Sequence, residues 1–169
     1  MAELVICGID PGLGVTGYAL LSVSGDRIEL LDAGACRLDE RKPLHERLVD
    51  LDADIAALLD EHRPQHVAVE DLYAHYKHPK TAILMGHARG VILLAAARRG
   101  ITLQSLPATQ IKRRLCGNGH ASKGQVQRAV QVALGLAEPP EPADVADALA
   151  AALCRAYEVS RGTMEPCSV

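Results

Sequence analysis

The sequence contains no phenylalanine and no tryptophan, and Tyr18, Tyr73, Tyr76 and Tyr157 are its only aromatic residues. The core must therefore be built from Leu, Val, Ile and Ala, so the position of each tyrosine is informative. The five cysteines, Cys7, Cys36, Cys116, Cys154 and Cys167, contain no C-x-x-C pair. This speaks against the common zinc and dithiol spacings and predicts reduced thiols in a cytosol. No basic stretch precedes Leu4-Val5-Ile6-Cys7, and no unbroken apolar run exceeds the seven residues of Val91 to Ala97. Neither a secretory signal nor a membrane span is expected, and a cytoplasmic location follows as an expectation.

A further absence is local. Residues 72 to 137 contain no Asp or Glu, yet they carry ten Lys/Arg and four His. The segment before holds 15 acids against 6 bases, and the segment after holds 6 against 2. The formal net charge of -3 therefore hides a strongly basic middle. Ordinary solvated helices mix both signs, so a stretch of one sign points to a phosphate-binding surface. Lys77, Arg89, Lys112 and Lys123 are candidate contacts within it.

What is present fits one globular domain over 1–169, with a tail from about 160 that is expected to be flexible. The chain is 49% hydrophobic and 23% charged, an ordinary soluble composition. Folding at this length removes roughly 70% of the unfolded surface from water, so no disulfide or structural zinc is needed. β-branching and alternation predict strands at 4–9, 15–23 and 27–37, the last two joined by Ser24-Gly25-Asp26. Leucines and Ile55 at helical spacing predict a helix over 43–62 that Pro64 ends. A strand at His66–Glu70, a helix over 79–98 and a strand at Ile101–Leu106 follow. Pro107 opens a helix, Ser122-x-x-Gln125 is a capping box opening another near 123, and a last helix is expected over 143–158. This order predicts an α/β fold: a central five-stranded mixed sheet, its first strands antiparallel, with helices on both faces.

Three motifs carry carboxylates. Asp10 ends the first strand within Gly8-Ile-Asp-Pro-Gly-Leu-Gly-Val-Thr-Gly17, where the glycines would let backbone and a phosphate approach closely. The last six residues match G-x-G-x-x-G, but a strand and a turn follow rather than a helix, which removes the dinucleotide-binding reading. An Asx turn with Pro11 is the simpler use of Asp10 alone. Glu70 and Asp71 end the buried Val67-Ala-Val69 strand, and alternation lets only one of them stand beside Asp10. Asp144 and Asp147 are three apart at a helix start, on one face. Complementing the helix dipole would explain them singly. Together, four carboxylates from two strand ends and one helix would repel one another unless cations neutralised them, and hard oxygen donors suit Mg²⁺ or Mn²⁺.

These residues, with Met85-Gly-His-Ala-Arg89-Gly-Val91 and Lys112 and Lys123 around Gly117-Asn-Gly-His120, resemble the RuvC family of Holliday-junction resolvases in the ribonuclease H-like superfamily. The resemblance runs over nearly the whole chain. It implies metal-dependent endonuclease cleavage of four-way DNA junctions in recombination and repair. Asp10, Glu70, Asp144 and Asp147 would be the catalytic acids and would hold two Mg²⁺ ions per site, with Mn²⁺ able to substitute. Lys112 and Lys123 would contact DNA. Tyr73 stands where the family has an aromatic side chain at the junction centre, and an apparent extra residue between Tyr73 and Pro79 makes Tyr76 a competitor. A homodimer and a branch-migration helicase complex are the implied partners. In the 79–98 helix, Ile83, Gly86, Gly90, Val91, Leu94 and Ala95 suit either a dimer face or a cover for the sheet. An actin-like ATPase or sugar kinase shares the Asp-x-Gly start but needs two lobes to enclose ATP. A binding module without catalysis would have no use for all four acids.

Overall fold

The structure is a computed structural model, and it describes residues 3–72 and 79–160. Tyr73, Tyr76, Lys77 and the tail lie outside the described residues. Strands β1 (Leu4–Asp10), β2 (Val15–Ser24), β3 (Arg27–Arg37), β4 (His66–Glu70) and β5 (Thr102–Leu106) form one sheet in the order β3-β2-β1-β4-β5. The first three are antiparallel neighbours, with Gly25 at φ 62° in the turn between β2 and β3. β4 runs parallel to β1, and β5 runs parallel to β4. This is the expected mixed sheet, and its edges are the partly polar β3 and the short β5, as solvent-facing edges require.

Period-two alternation sorts the sheet into two faces. Ile6, Ala19, Leu21, Val23 and Ala68 point to one core, shared with α3 (Ala108–Cys116), α4 (Lys123–Leu134) and α5 (Ala143–Ser160). Cys7, Ile9, Leu20, Val67 and Val69 point to the other, beneath α1 (Leu44–His62) and α2 (Pro79–Arg98). Helix boundaries follow local chemistry. Pro43 O accepts from the Glu46 and Arg47 amides at 3.1 and 3.2 Å, and Arg63 at φ 46° closes α1. Ser122 Oγ accepts from Gln125 N at 3.3 Å while Ser122 N donates to Gln125 Oε1 at 2.8 Å, completing the capping box of α4.

Two glycines determine how closely α5 lies on the sheet. A Cβ on Gly8 would fall 2.1 Å from the Ala148 carbonyl oxygen and 2.6 Å from Ala152 N, and one on Gly17 would fall 2.1 Å from the Asp144 carbonyl oxygen. Small residues on both partners thus bring the helix backbone against β1 and β2. Behind this contact, Arg155 Nη1 reaches Glu158 Oε2 at 3.2 Å, and Gln110 Nε2 donates to Glu158 Oε1 at 3.0 Å, tying α5 to α3. By length and composition α2 is apolar enough to cross a membrane. Its inner residues Ala88, Ile92, Ala95 and Ala96 are buried with residues of α1 and the sheet, whereas Ile83 and Leu94 on its outer side are exposed.

Candidate active site

The ladder between β1 and β4 pairs Ile9 with Val69, so the following residues, Asp10 and Glu70, leave the sheet side by side. Both share parity with Ile6, Gly8 and Ala68, whose side is the α5 side. Asp144 and Asp147 lie in the first turns of α5, which Gly8 and Gly17 hold against the same strands. The result is a cleft of about 320 Å³ lined by Asp10, Glu70, Asp144 and Asp147 together with Lys112 of α3, Lys123 of α4 and Met85 of α2. Asp71 has the opposite parity and serves elsewhere: its Oδ1 accepts from Arg89 Nη2 at 2.9 Å.

Gathering these charges changes their protonation. Burial first, then the carboxylates of Asp147, Glu70 and Asp144, pushes Asp10 up to about 8, with Lys123 opposing. Burial and Asp147 push Glu70 up to about 7 against the pull of Lys112 and Lys123. Asp147 is also raised, by burial first, although Lys123 Nζ stands 3.7 Å from its Oδ2. Perturbed titration produced by burial plus named charge partners in a cleft marks a functional site. As placed, no three His, Cys, Asp or Glu groups among the described residues stand close enough to hold one ion. Bringing carboxylates onto an ion here takes side-chain rotation, and the four acids are only partly buried. The donor set fits a hard divalent cation: carboxylate oxygens only, with negative charge exceeding what two lysines compensate.

Of the other expected contacts, Lys112 and Lys123 line the cleft and Arg89 does not. Arg89 Nη2 donates to Asp71 Oδ1 and to Ser105 Oγ, tying α2 to the ends of β4 and β5. The Arg89 guanidinium is thus paired with Asp71, whose side chain is 40% exposed, and stands outside the cleft lining. Two other bases of the acid-free stretch are likewise paired across the fold. Arg99 reaches Asp60 at 2.6 and 2.7 Å, and Arg114 lies 3.7 Å from Glu158. At Gly12 a Cβ would fall 2.1 Å from Val15 O and at Gly14 2.6 Å from Glu40 Oε1, so close protein neighbours require glycine at these positions as they do at Gly8 and Gly17.

Sequence reasoning missed Arg47. It donates through Nη2 to the Leu13 carbonyl in the loop that follows Asp10. The available signal was an arginine within the apolar stripe Leu44, Leu48, Leu51, Ile55 of α1, in a strongly acidic stretch of sequence.

Residues 6–155 match the family model described as "Crossover junction endodeoxyribonuclease RuvC". Similar curated proteins carry the same description. One from Rhodopirellula baltica is 47% identical over 90% of this chain and 85% of its own length, and one from Heliobacterium modesticaldum is 45% identical over 94% and 98%. A solved structure titled "T. thermophilus RuvC in complex with Holliday junction substrate" superposes with a TM-score of 0.88 at 34% identity, covering 96% of this chain and 99% of that one. With the cleft, the sheet order and the motif residues in the same chain, the protein belongs to the RuvC family of crossover junction endodeoxyribonucleases.

Proposed function

We propose that this chain resolves four-way DNA junctions by hydrolysing phosphodiester bonds in two opposed strands during recombination and repair. The observation that carries this reading is the meeting of Asp10, Glu70, Asp144 and Asp147 with Lys112 and Lys123 in one cleft, within a chain of this family. The four carboxylates would hold two Mg²⁺ ions, or Mn²⁺ in their place, and the bound ions supply Lewis-acid stabilisation of the charge that develops on the reacting phosphate. Lys112 and Lys123 neutralise phosphates of the approaching strand, so a polyanion enters a cleft whose floor is acidic. The α5 backbone, seated on Gly8 and Gly17, fixes Asp144 and Asp147 relative to Asp10 without a mobile loop between them. Tyr73 or Tyr76 supplies an aromatic ring for stacking on a base at the junction centre. A cytoplasmic location and coupling to a branch-migration helicase accompany this reading.

A four-way junction has approximate two-fold symmetry and needs two cuts, so a C₂ dimer suits it. The two readings of the 79–98 helix separate by face. Ala95 is buried and Val91 packs on the core, whereas Ile83 and Leu94 are 62% and 48% exposed, and a Cβ on Gly90 meets nothing within 4 Å. The outward stripe Ile83, His87, Gly90, Leu94 is the proposed dimer face.

Incubating the protein with a synthetic four-way junction and with linear duplex, in Mg²⁺, Mn²⁺, Ca²⁺ and EDTA, tests the function. Paired, symmetric nicks on the junction in Mg²⁺ and Mn²⁺, absent in EDTA and on duplex, are expected. Equal cutting of duplex, or junction binding with no cutting in any metal, would overturn it.

A further inference from the structure

The acid cluster does not close off the far end of its cleft. A second recess of about 310 Å³ shares Asp10, Met85 and Asp144 with the first and continues past them, lined by the Pro11–Gly14 loop, Glu40, Arg47 and Thr81. Among the described residues, Lys112 and Lys123 belong to the first arm alone, and Arg47 is the sole cation lining the second. A strand cut at the acids must run on to both sides of the cut phosphate, so a cleft with one cationic arm accounts for only half of its path.

We propose that the Arg47 recess is a second phosphate subsite, holding the phosphodiester backbone on the side of the cut opposite Lys112 and Lys123, with Arg47 as its binding residue. The inference rests on the junction-resolving function proposed above. Arg47 carries five donors. Nη2 is used on the Leu13 carbonyl, and Nε is buried with no hydrogen-bond partner among the described residues. A planar guanidinium braced through one N–H and left with others unspent is preorganised to donate to the two non-bridging oxygens of a phosphodiester. The loop beside it is held by its own bonds as well. Thr16 Oγ1 donates to Gly12 O at 2.5 Å, and Leu38 N donates to Gly14 O at 3.0 Å, so Arg47 is not the loop's only support. The exposed Glu40, whose Oε1 lies at Gly14, is a carboxylate that lines this arm and not the first, and it sets a charge against the ligand.

The test uses a fluorescent four-way junction with Ca²⁺ in place of Mg²⁺, titrated at several salt concentrations between about 50 and 200 mM. Arg47→Ala should flatten the slope of log affinity against log salt by about 1, as loss of one phosphate contact requires, while Arg47→Lys keeps the slope. Glu40→Gln should tighten binding, at least twofold at low salt. Single methylphosphonate substitutions along the cut strand should reveal one phosphate, on the side away from Lys112 and Lys123, whose neutralisation weakens the parent protein but not Arg47→Ala. An unchanged slope and an unchanged methylphosphonate profile in Arg47→Ala, with a lowered melting temperature, would reduce Arg47 to a loop brace and overturn the subsite. If Arg47→Ala does not fold, a parent protein insensitive to every methylphosphonate on that side, with Glu40→Gln binding as the parent does, overturns it equally. A parent protein that binds no junction overturns the proposed function itself, which is a different result from a parent that binds and cuts with Arg47 silent.

Discussion

Burial and three neighbouring carboxylates push Asp10 from the ordinary 3.8 up to about 8. An acid whose folded value lies above its unfolded one holds more protons in the native state between the two. Stability therefore falls as pH rises from about 4 to about 8, and the ionised form is the destabilising one. A tenfold change in proton affinity between the folded and unfolded chain corresponds to about 1.4 kcal/mol. In EDTA at pH 8, Asp10→Asn should therefore be more stable than the parent by at least about 1 kcal/mol, raising the melting temperature by roughly 2–4 °C. The gain should shrink towards pH 5, where the native carboxyl is already protonated. Thermal denaturation across that range checks it, and a variant no more stable than the parent at pH 8 would mean the cluster carries no stored repulsion. The tyrosines make a separate prediction. Alanine at the residue that stacks on the junction centre should slow single-turnover cleavage of paired junctions and be partly rescued by unpaired bases there, since a stacked base is worth about 1–3 kcal/mol. Rates for Tyr73→Ala and Tyr76→Ala on both substrates assign the role, and normal rates for both would remove it.

Element packing explains why the motif glycines stand where they do. Gly8→Ala should cost at least about 3 kcal/mol, because a methyl 2.1 Å from a helix carbonyl must push α5 off the sheet. Gly124→Ala, in α4 with nothing within 4 Å of its Cβ, should be neutral or stabilise by up to about 1 kcal/mol. Chemical denaturation of the two variants measures the contrast, and a mild effect at Gly8 would contradict the close helix–sheet contact. Strand and helix positions were largely legible in the sequence, because alternation, Pro64, Pro107 and the Ser122–Gln125 pair act locally. Alternation also required Glu70 and Asp71 to part company, but not which one faced Asp10. That needed the parallel pairing of β1 with β4, a contact between residues some sixty positions apart. The packing role of Gly8, Gly14 and Gly17 and the contact of Arg47 were not legible for the same reason: their partners, Ala148, Asp144, Glu40 and the Leu13 carbonyl, are remote in sequence.

Across the whole molecule, a segment without acids is not a surface without them. Arg89, Arg99 and Arg114 are drawn by Asp71, Asp60 and Glu158 from the flanking segments, while Lys112 and Lys123 line the cleft. Junction affinity should accordingly depend steeply on salt, and Lys112→Ala or Lys123→Ala should each flatten the log–log slope by about 1, whereas Arg99→Ala should leave it unchanged. Slopes from binding titrations decide this, and an effect of Arg99 equal to that of Lys112 would mean that diffuse charge governs binding. The central claim is that the four carboxylates act as one metal-dependent cutting centre. Its most direct test is the single-turnover cleavage rate, in saturating Mg²⁺, of Asp10→Asn, Glu70→Gln, Asp144→Asn and Asp147→Asn on a four-way junction, with binding measured in Ca²⁺. Each variant should cut at least about 10²-fold more slowly while binding the junction as well as the parent; near-parental cutting by any two of them would contradict a shared centre.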